Sequence, residues 1–224
     1  MSPTFQRARS TEAKEQREAA ILEAARTLAT THSVRQITLT DIAAIIGMHK
    51  SALLRYFETR EQVFLVLTGE GWREWSSALR AELAQLAEPS PAAVAAVFVQ
   101  TLITRPMFCD LLAQAPLNLE RNVSLEAIRE FKLIALNEVK AIGADLERLL
   151  TLSSRQARDV VATASSMAGA LWQMSTPAPQ VQALYRSEPQ LAHAIVDVAP
   201  RLSHILQGLL TGYVFENAKR NSSN

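Results

Sequence analysis

The chain is poor in the residues that build disulfides, metal clusters and tight β-turns. Its single cysteine, Cys109, excludes an intramolecular disulfide and any cysteine-based metal site, and suits a reducing cytoplasm. Glycine is scarce, with seven in 224 residues, and no convincing stretch alternates polar with apolar residues. Both absences point to an all-α protein. No run approaches the ~18 apolar residues of a membrane span. The opening MSPTFQRARSTEAKEQR has no apolar core, so a signal peptide is not expected. An excess of one charge is missing too: the net +1 argues against a general nucleic-acid coat. No Ser-His-Asp order, glycine-rich phosphate loop or paired-carboxylate motif stands out. His193 and Asp197, four apart, are too few for a metal. An enzyme is therefore not expected, nor a metal or cofactor.

What is present is an ordinary globular mixture, 48% hydrophobic and 20% charged, long enough for one or two domains with a real core. Its charge is unevenly spread. Residues 1–60 hold nine Lys/Arg against six Asp/Glu, and residues 61–224 hold fourteen against sixteen. A basic head on a slightly acidic body suits a nucleic-acid reader joined to something else. Arg7 and Arg9 could form a small basic arm in the DNA minor groove, although a solvated tail is the better explanation of them.

The organising stretch is residues 38–57, TLTDIAAIIGMHKSALLRYF. Ile42, Ile45 and Ile46 share one face of a short helical pattern, Thr38 can cap it, and Asp41 adds an acid in its first turn. Gly47 supplies the backbone freedom for a tight stop, and Lys50 to Phe57 resumes a helical pattern. Two short helices around a glycine turn make a helix-turn-helix, whose second helix enters the DNA major groove. Leu53 and Phe57, four apart, can hold that helix down while Lys50, Ser51, Arg55 and Tyr56 face outward. A helix built only for packing has little use for so many donors on one side.

The spacings T-L-T-D-I-A, G-M-H-K-S-A-L-L-R-Y-F and E-T-R-E-Q-V, with I-L-E-A-A-R-T-L-A before them, resemble the DNA-binding domain of the TetR family of bacterial repressors over about Ile21 to Leu67. The sequence departs from the family pattern at Leu54, where Tyr is usual, and at Arg60, where Lys is usual. The resemblance implies an all-α chain: a three-helix helix-turn-helix domain, residues 1–60, followed by a helical effector-binding and dimerisation domain, residues 61–224. The residues expected at the DNA are Thr38, Thr40, His49, Lys50, Ser51, Ala52, Arg55, Tyr56 and Arg60, with Lys50 and Arg60 on phosphates.

Beyond the head, helices are expected at about 91–104, 106–115, 123–150, 153–174 and 199–215, punctuated by Pro106, Pro116 and Pro177-Ala178-Pro179. A long helix precedes them from about Thr59 to Leu86, in which Gly69 and Gly71 could mark a bend. In the last helix Leu202, Ile205/Leu206, Leu209 and Tyr213 fall on one face, and Ala162 to Ala170 offers small residues for close helix approach. A four-helix dimer interface follows from the resemblance; an intrachain core is the alternative. Trp72, Phe98, Phe108, Asn122 and Trp172 are candidates to line an effector cavity, each also explicable as core packing.

These observations converge on a ligand-responsive repressor that binds a palindromic operator as a homodimer and senses a small, largely apolar effector in the cytoplasm. The competing expectation is a helical carrier or enzyme that has kept an inert helix-turn-helix. Clustered donors on the second helix argue against it.

Overall fold

The computed structural model describes residues 3–222, with side chains for 12–220 and 222. Arg7 and Arg9 therefore lie outside the described side chains. Among the described residues there are ten α-helices and no strand. The head comprises α1 (Pro3–Ala29), a 3-10 turn (Val34–Gln36), α2 (Leu39–Ile45) and α3 (Lys50–Leu53). The body follows as α4 (Arg60–Leu83), α5 (Pro91–Ile103), α6 (Pro106–Gln114), α7 (Leu125–Leu150), α8 (Ser154–Ser175), α9 (Pro179–Ser187) and α10 (Val198–Ser222). No single described helix is long and apolar enough to cross a membrane.

Local chemistry sets most of these boundaries. Thr59, Ser90, Ser124 and Ser153 each accept a backbone N–H in the first turn that follows, opening α4, α5, α7 and α8. At Ser153 the bond is reciprocal, because Gln156 reaches back to the Ser153 N–H at 2.9 Å. Pro91 and Pro106 occupy first helical turns, where their missing N–H costs nothing. Pro116 stands two residues past the end of α6, and the chain widens there into one π-helical turn, Ala115–Leu119, closed by the Glu120 N–H on the Ala115 carbonyl at 3.2 Å.

Helix α4 is the spine. It packs along α7, meets α5 and α6 on another side, and reaches back to α1. Helix α8 lies on α6, α7 and α10, while α10 also covers α5. One continuous apolar core runs from Ile21 and Ile42 in the head to Leu206 and Leu210 in α10. The glycines of α4 do not bend it, since the helix is unbroken from Arg60 to Leu83. Gly71 instead clears room for a ring: a Cβ there would stand 2.4 Å from Cδ2 of Phe108. Gly169 does the same for backbone, because a Cβ would meet the Ala113 nitrogen at 2.8 Å, so α8 lies almost directly on α6.

Two further expectations need correcting. The last helix runs to Ser222, past the tail that its polar residues suggest. The stripe it buries in its own chain is Leu202, Leu206 and Leu210, all fully buried, while Ile205, Leu209 and Tyr213 are only half-buried. Helix α9, with the 3-10 turn Pro189–Ala194 after it, buries no residue at all. A helix with nothing buried leaves no apolar period inside the fold to be read.

Candidate nucleic-acid interface and junction cavity

Helix α2 starts where Thr38 and Asp41 cap each other. The Asp41 N–H donates to the Thr38 hydroxyl oxygen at 3.3 Å, and the Thr38 N–H and hydroxyl donate to Asp41 at 2.8 and 2.7 Å. Those bonds from Thr38 hold the Asp41 carboxyl below its ordinary value of 3.8. The cap's contribution is thus in place above that value and fades as pH falls through the lowered one. Gly47 ends the helix at φ +63°, a left-handed conformation that glycine adopts without strain.

The next turn begins at His49, and α3 is a single helical turn, Lys50–Leu53, shorter than the pattern to Phe57 suggests. Its packing side is apolar: Leu53 is fully buried, Phe57 nearly so, and both belong to the core that holds Ile42 and Ala43. Ile45, by contrast, is 48% exposed and leaves the face that its spacing suggested. The other side is polar. Thr38, Thr40, His49, Lys50, Ser51 and Arg55 are exposed, Ala52 and Tyr56 are half-buried, and Lys50 and Arg55 have no ion pair among the described residues. Leu54 is 45% exposed beside them.

Arg60 does not belong to that free set. Its guanidinium donates to the carbonyls of Val34 and Ile37, pairs with Glu61 at 2.8 Å and lies over the Phe64 ring at 5.2 Å. All three of its nitrogens have partners within the head-to-body joint, so it braces the turn before α2 rather than reaching toward a phosphate. Arg60→Ala should leave two carbonyls short of donors and lower unfolding free energy by about 1–3 kcal/mol. The salt dependence of DNA binding, measured on the folded fraction, should not change. A flattened salt slope with unchanged denaturation midpoint would return Arg60 to the DNA.

The centre of the body is filled. Trp72 and Trp75 meet edge-on at 5.4 Å, Trp75 meets Phe98 at 6.0 Å, and both tryptophans meet Phe108 at 5.8 Å. Trp75 and Phe98 are fully buried. Trp75 donates its indole N–H to Thr101 at 3.1 Å. Rings at these separations are in packing contact with one another. Phe98 and Trp72 are thus packing residues, and Asn122 is exposed on the α6–α7 connection. Phe108 and Trp172 do line a cavity, though not a central one. It measures about 780 Å³ and opens at the junction between the end of α1 and the helices α4, α6 and α8.

Asp110, on α6, is the polar centre of that junction. Oδ2 accepts the Ser33 hydroxyl at 2.9 Å and the Val34 N–H at 2.8 Å, and Oδ1 accepts the Gln173 amide at 2.8 Å. Head, α6 and α8 thus meet on one carboxylate. No sequence period marks it, because its partners lie 63 to 77 residues away. Its neighbour Cys109 is inert, since burial, helped by the Asp110 charge, pushes its thiol up to about 12.

On the far side of the body, α8 and α10 present a second surface. Of the small residues in α8, Ala164, Ser165, Ala168 and Gly169 are buried within the chain, whereas Ala162, Ser166 and Ala170 face out. On α10, Gly208 and Gly212 are exposed with nothing within 4 Å of where a Cβ would stand, and Phe215 is 59% exposed.

Residues 21–67 match the model of the tetR family of bacterial regulatory proteins, and residues 70–217 match that of the tetracyclin repressor-like C-terminal domain. No curated protein sequence matches significantly. The fatty acid degradation regulator FadR from Bacillus halodurans is similar in structure, with a TM-score of 0.56 at 15% identity over 87% of this chain and 95% of that one. AlkX from Dietzia sp. strain DQ12-45-1b, a TetR family repressor implicated in biodegradation of n-alkanes, has a TM-score of 0.50 at 12% identity over 88% and 96%. At such identities these two show the fold alone.

Proposed function

Since the chain belongs to the TetR family, and is by that membership a DNA-binding transcriptional regulator, we propose that it acts as a homodimeric repressor whose operator affinity falls when a small molecule enters the body. Residues 1–60 are its DNA-binding head and residues 61–224 its effector-binding and dimerisation body. The reading rests most heavily on residues 49–57, α3 and its flanks, where His49, Lys50, Ser51 and Arg55 are exposed while Leu53 and Phe57 are buried.

In this reading Lys50 neutralises a phosphate at the start of the recognition helix, and His49, Ser51 and Arg55 reach base edges. Thr40, in the first turn of α2, contacts the backbone, Thr38 lies beside it with its N–H and hydroxyl kept by Asp41, and Ala52 and Tyr56 complete the contact surface. Phosphate contacts add affinity without sequence information and set the salt dependence. Lys50→Ala should weaken specific and non-specific DNA alike and reduce the salt slope by about one unit, measured by titrating binding across salt concentrations. Gel shifts on the promoter region of the chain's own gene supply the primary test. Absence of sequence-preferring binding there and at neighbouring promoters would sink the reading.

Dimerisation is supported by the outward faces of α8 and α10. Glycine inside a helix costs about 1 kcal/mol relative to alanine, and Gly208 and Gly212 incur that cost twice on one exposed face of α10. A neighbouring helix that needs close backbone approach gives them a purpose. Ala162, Ser166 and Ala170 present the same smallness on α8. Two such helices from each protomer make a four-helix interface, and two heads then meet two half-sites one DNA turn apart. The effector lowers affinity by preferring a conformation in which that spacing no longer matches, and operator and effector weaken each other by the same factor.

A further inference from the structure

The junction cavity carries a charge imbalance that points to the kind of molecule it takes. Two permanent cations line it, and both are already paired. Arg26 bonds Glu70 across the α1–α4 contact and Glu23 at 2.8 Å on its own helix. Arg105 pairs with Glu74 at 3.2 Å and donates to the Thr101 carbonyl at 2.8 Å. His32, at the rim, is exposed and bonded to the Thr31 hydroxyl. Asp110 is the exception. It is 6% exposed, and its three partners, a hydroxyl, a backbone N–H and an amide, are all neutral.

A buried carboxylate with neutral donors is solvated but not neutralised, and in a low-dielectric site it attracts a cation more strongly than it would in water. A carboxylate offers about four lone-pair positions. Three are occupied here, leaving one for a further donor. Around it the wall is apolar and aromatic, with Leu67, Met107, Phe108 and Trp172. Such rings accept the flank of an ammonium as well as an alkyl chain. An anionic ligand would find both arginines engaged and Asp110 opposing it.

We propose that the junction cavity binds an amphipathic organic cation, its ammonium on Asp110 and its apolar body against Trp172, Phe108 and Met107. This rests on the reading of the chain as a ligand-responsive regulator, and it gives that response a lever. The carboxylate that would hold the ligand is the one that ties Ser33 and Val34 of the head to α6 and α8. An ammonium in the free position on Oδ1, beside Gln173, draws the charge of the carboxylate away from the Ser33 hydroxyl and the Val34 N–H on Oδ2, so occupancy weakens the hold of the body on the head.

The test uses three probes with one tail and different heads: decylammonium, decanoate and 1-decanol, each below its aggregation limit. Binding is measured by calorimetry on the full-length chain. Decylammonium should bind at least tenfold more tightly than the other two, and Asp110→Asn should cut that preference to within about threefold. Asparagine keeps an acceptor for Ser33 and Val34, so the fold should survive. A second variant, Gln173→Lys, tethers an ammonium beside Asp110 and should erase the preference independently. A preference for decanoate, equal binding of all three, or a cation preference that survives in whichever variant folds would overturn the proposal. Operator gel shifts with the same probes separate it from the reading it rests on. Asp110-dependent binding without release of DNA supports the site and sinks ligand-responsive repression. Release by decanoate without binding of decylammonium does the reverse.

Discussion

Gly208→Glu should yield a folded monomer whose operator affinity is lowered by about 10²–10⁴-fold. The substitution is benign within one chain: a Cβ at this position meets nothing within 4 Å, and glutamate is a better helix former than glycine, so helicity should hold or rise. Its effect lies between chains. If α10 packs against its copy on the face of Gly208 and Gly212, two added carboxylates meet near the dyad with no partner, and two side chains occupy space that bare backbone had used. Desolvating unpaired charges costs several kcal/mol each, enough to split an interface of ordinary size. Each head then binds one half-site alone and forfeits the effective-concentration gain of a linked pair, commonly 10²–10⁴. Light scattering, circular dichroism and a gel shift on one preparation decide the matter. A variant that remains dimeric and tight on DNA would move the interface away from α10, whereas an unfolded one would contradict the open space around Gly208.

How far such features can be read before the structure depends on whether they are local. The α2 cap and the Gly47 stop are set by residues within five positions of one another, and the burial of Leu53 shows in its four-residue spacing from Phe57. They stand in the sequence as they stand in the fold. Along α10 the periodicity is ambiguous in principle. Leu202, Leu206 and Leu210 make one apolar row and Ile205, Leu209 and Tyr213 an adjacent one. A 3.6-residue period says that a stripe exists but not which half faces its own chain. The α4 glycines invited a bend because glycine weakens helices, yet Gly71 answers to Phe108, a residue far along the chain. Arg60 shows the same limit. Its position at a helix start suggested a phosphate, while the carbonyls it serves, those of Val34 and Ile37, become visible only once the turn folds back.

The cavity was the least legible part. Aromatic residues in the middle of the chain suggested a lined central space, but Trp72, Trp75, Phe98 and Phe108 fill that space with one another. The room lies where α1 ends and α6 and α8 pass, among residues such as Arg26, Ser33, Asp110 and Gln173 that share no spacing. Helix faces can be read from one segment, whereas a junction between three elements is a property of their packing.

That filled centre makes Trp75→Ala the most damaging single truncation expected in the body, at about 3–5 kcal/mol. Trp75 is fully buried, contacts three other rings, and sits on α4, the helix that touches α1, α5, α6 and α7. Its hydrogen bond is the smaller part of the loss. The Thr101 hydroxyl keeps its own acceptors, the carbonyls of Val97 at 2.9 Å and Phe98 at 3.1 Å, so no donor is orphaned when the indole goes. The cost is the lost transfer energy plus a cavity that Trp72, Phe98 and Phe108, wedged edge to face, cannot close without leaving their rotamers. Trp75→Phe should cost clearly less, because most of the volume stays. For a domain stable by ~5–15 kcal/mol, the alanine variant stands near the limit of folding. Because the core is continuous with the head, DNA binding should vanish with the unfolding transition and not before it. Urea denaturation of the three proteins measures this. A loss below 1 kcal/mol for Trp75→Ala would mean that the rings relax into the gap and that the centre of the body has room for a ligand after all.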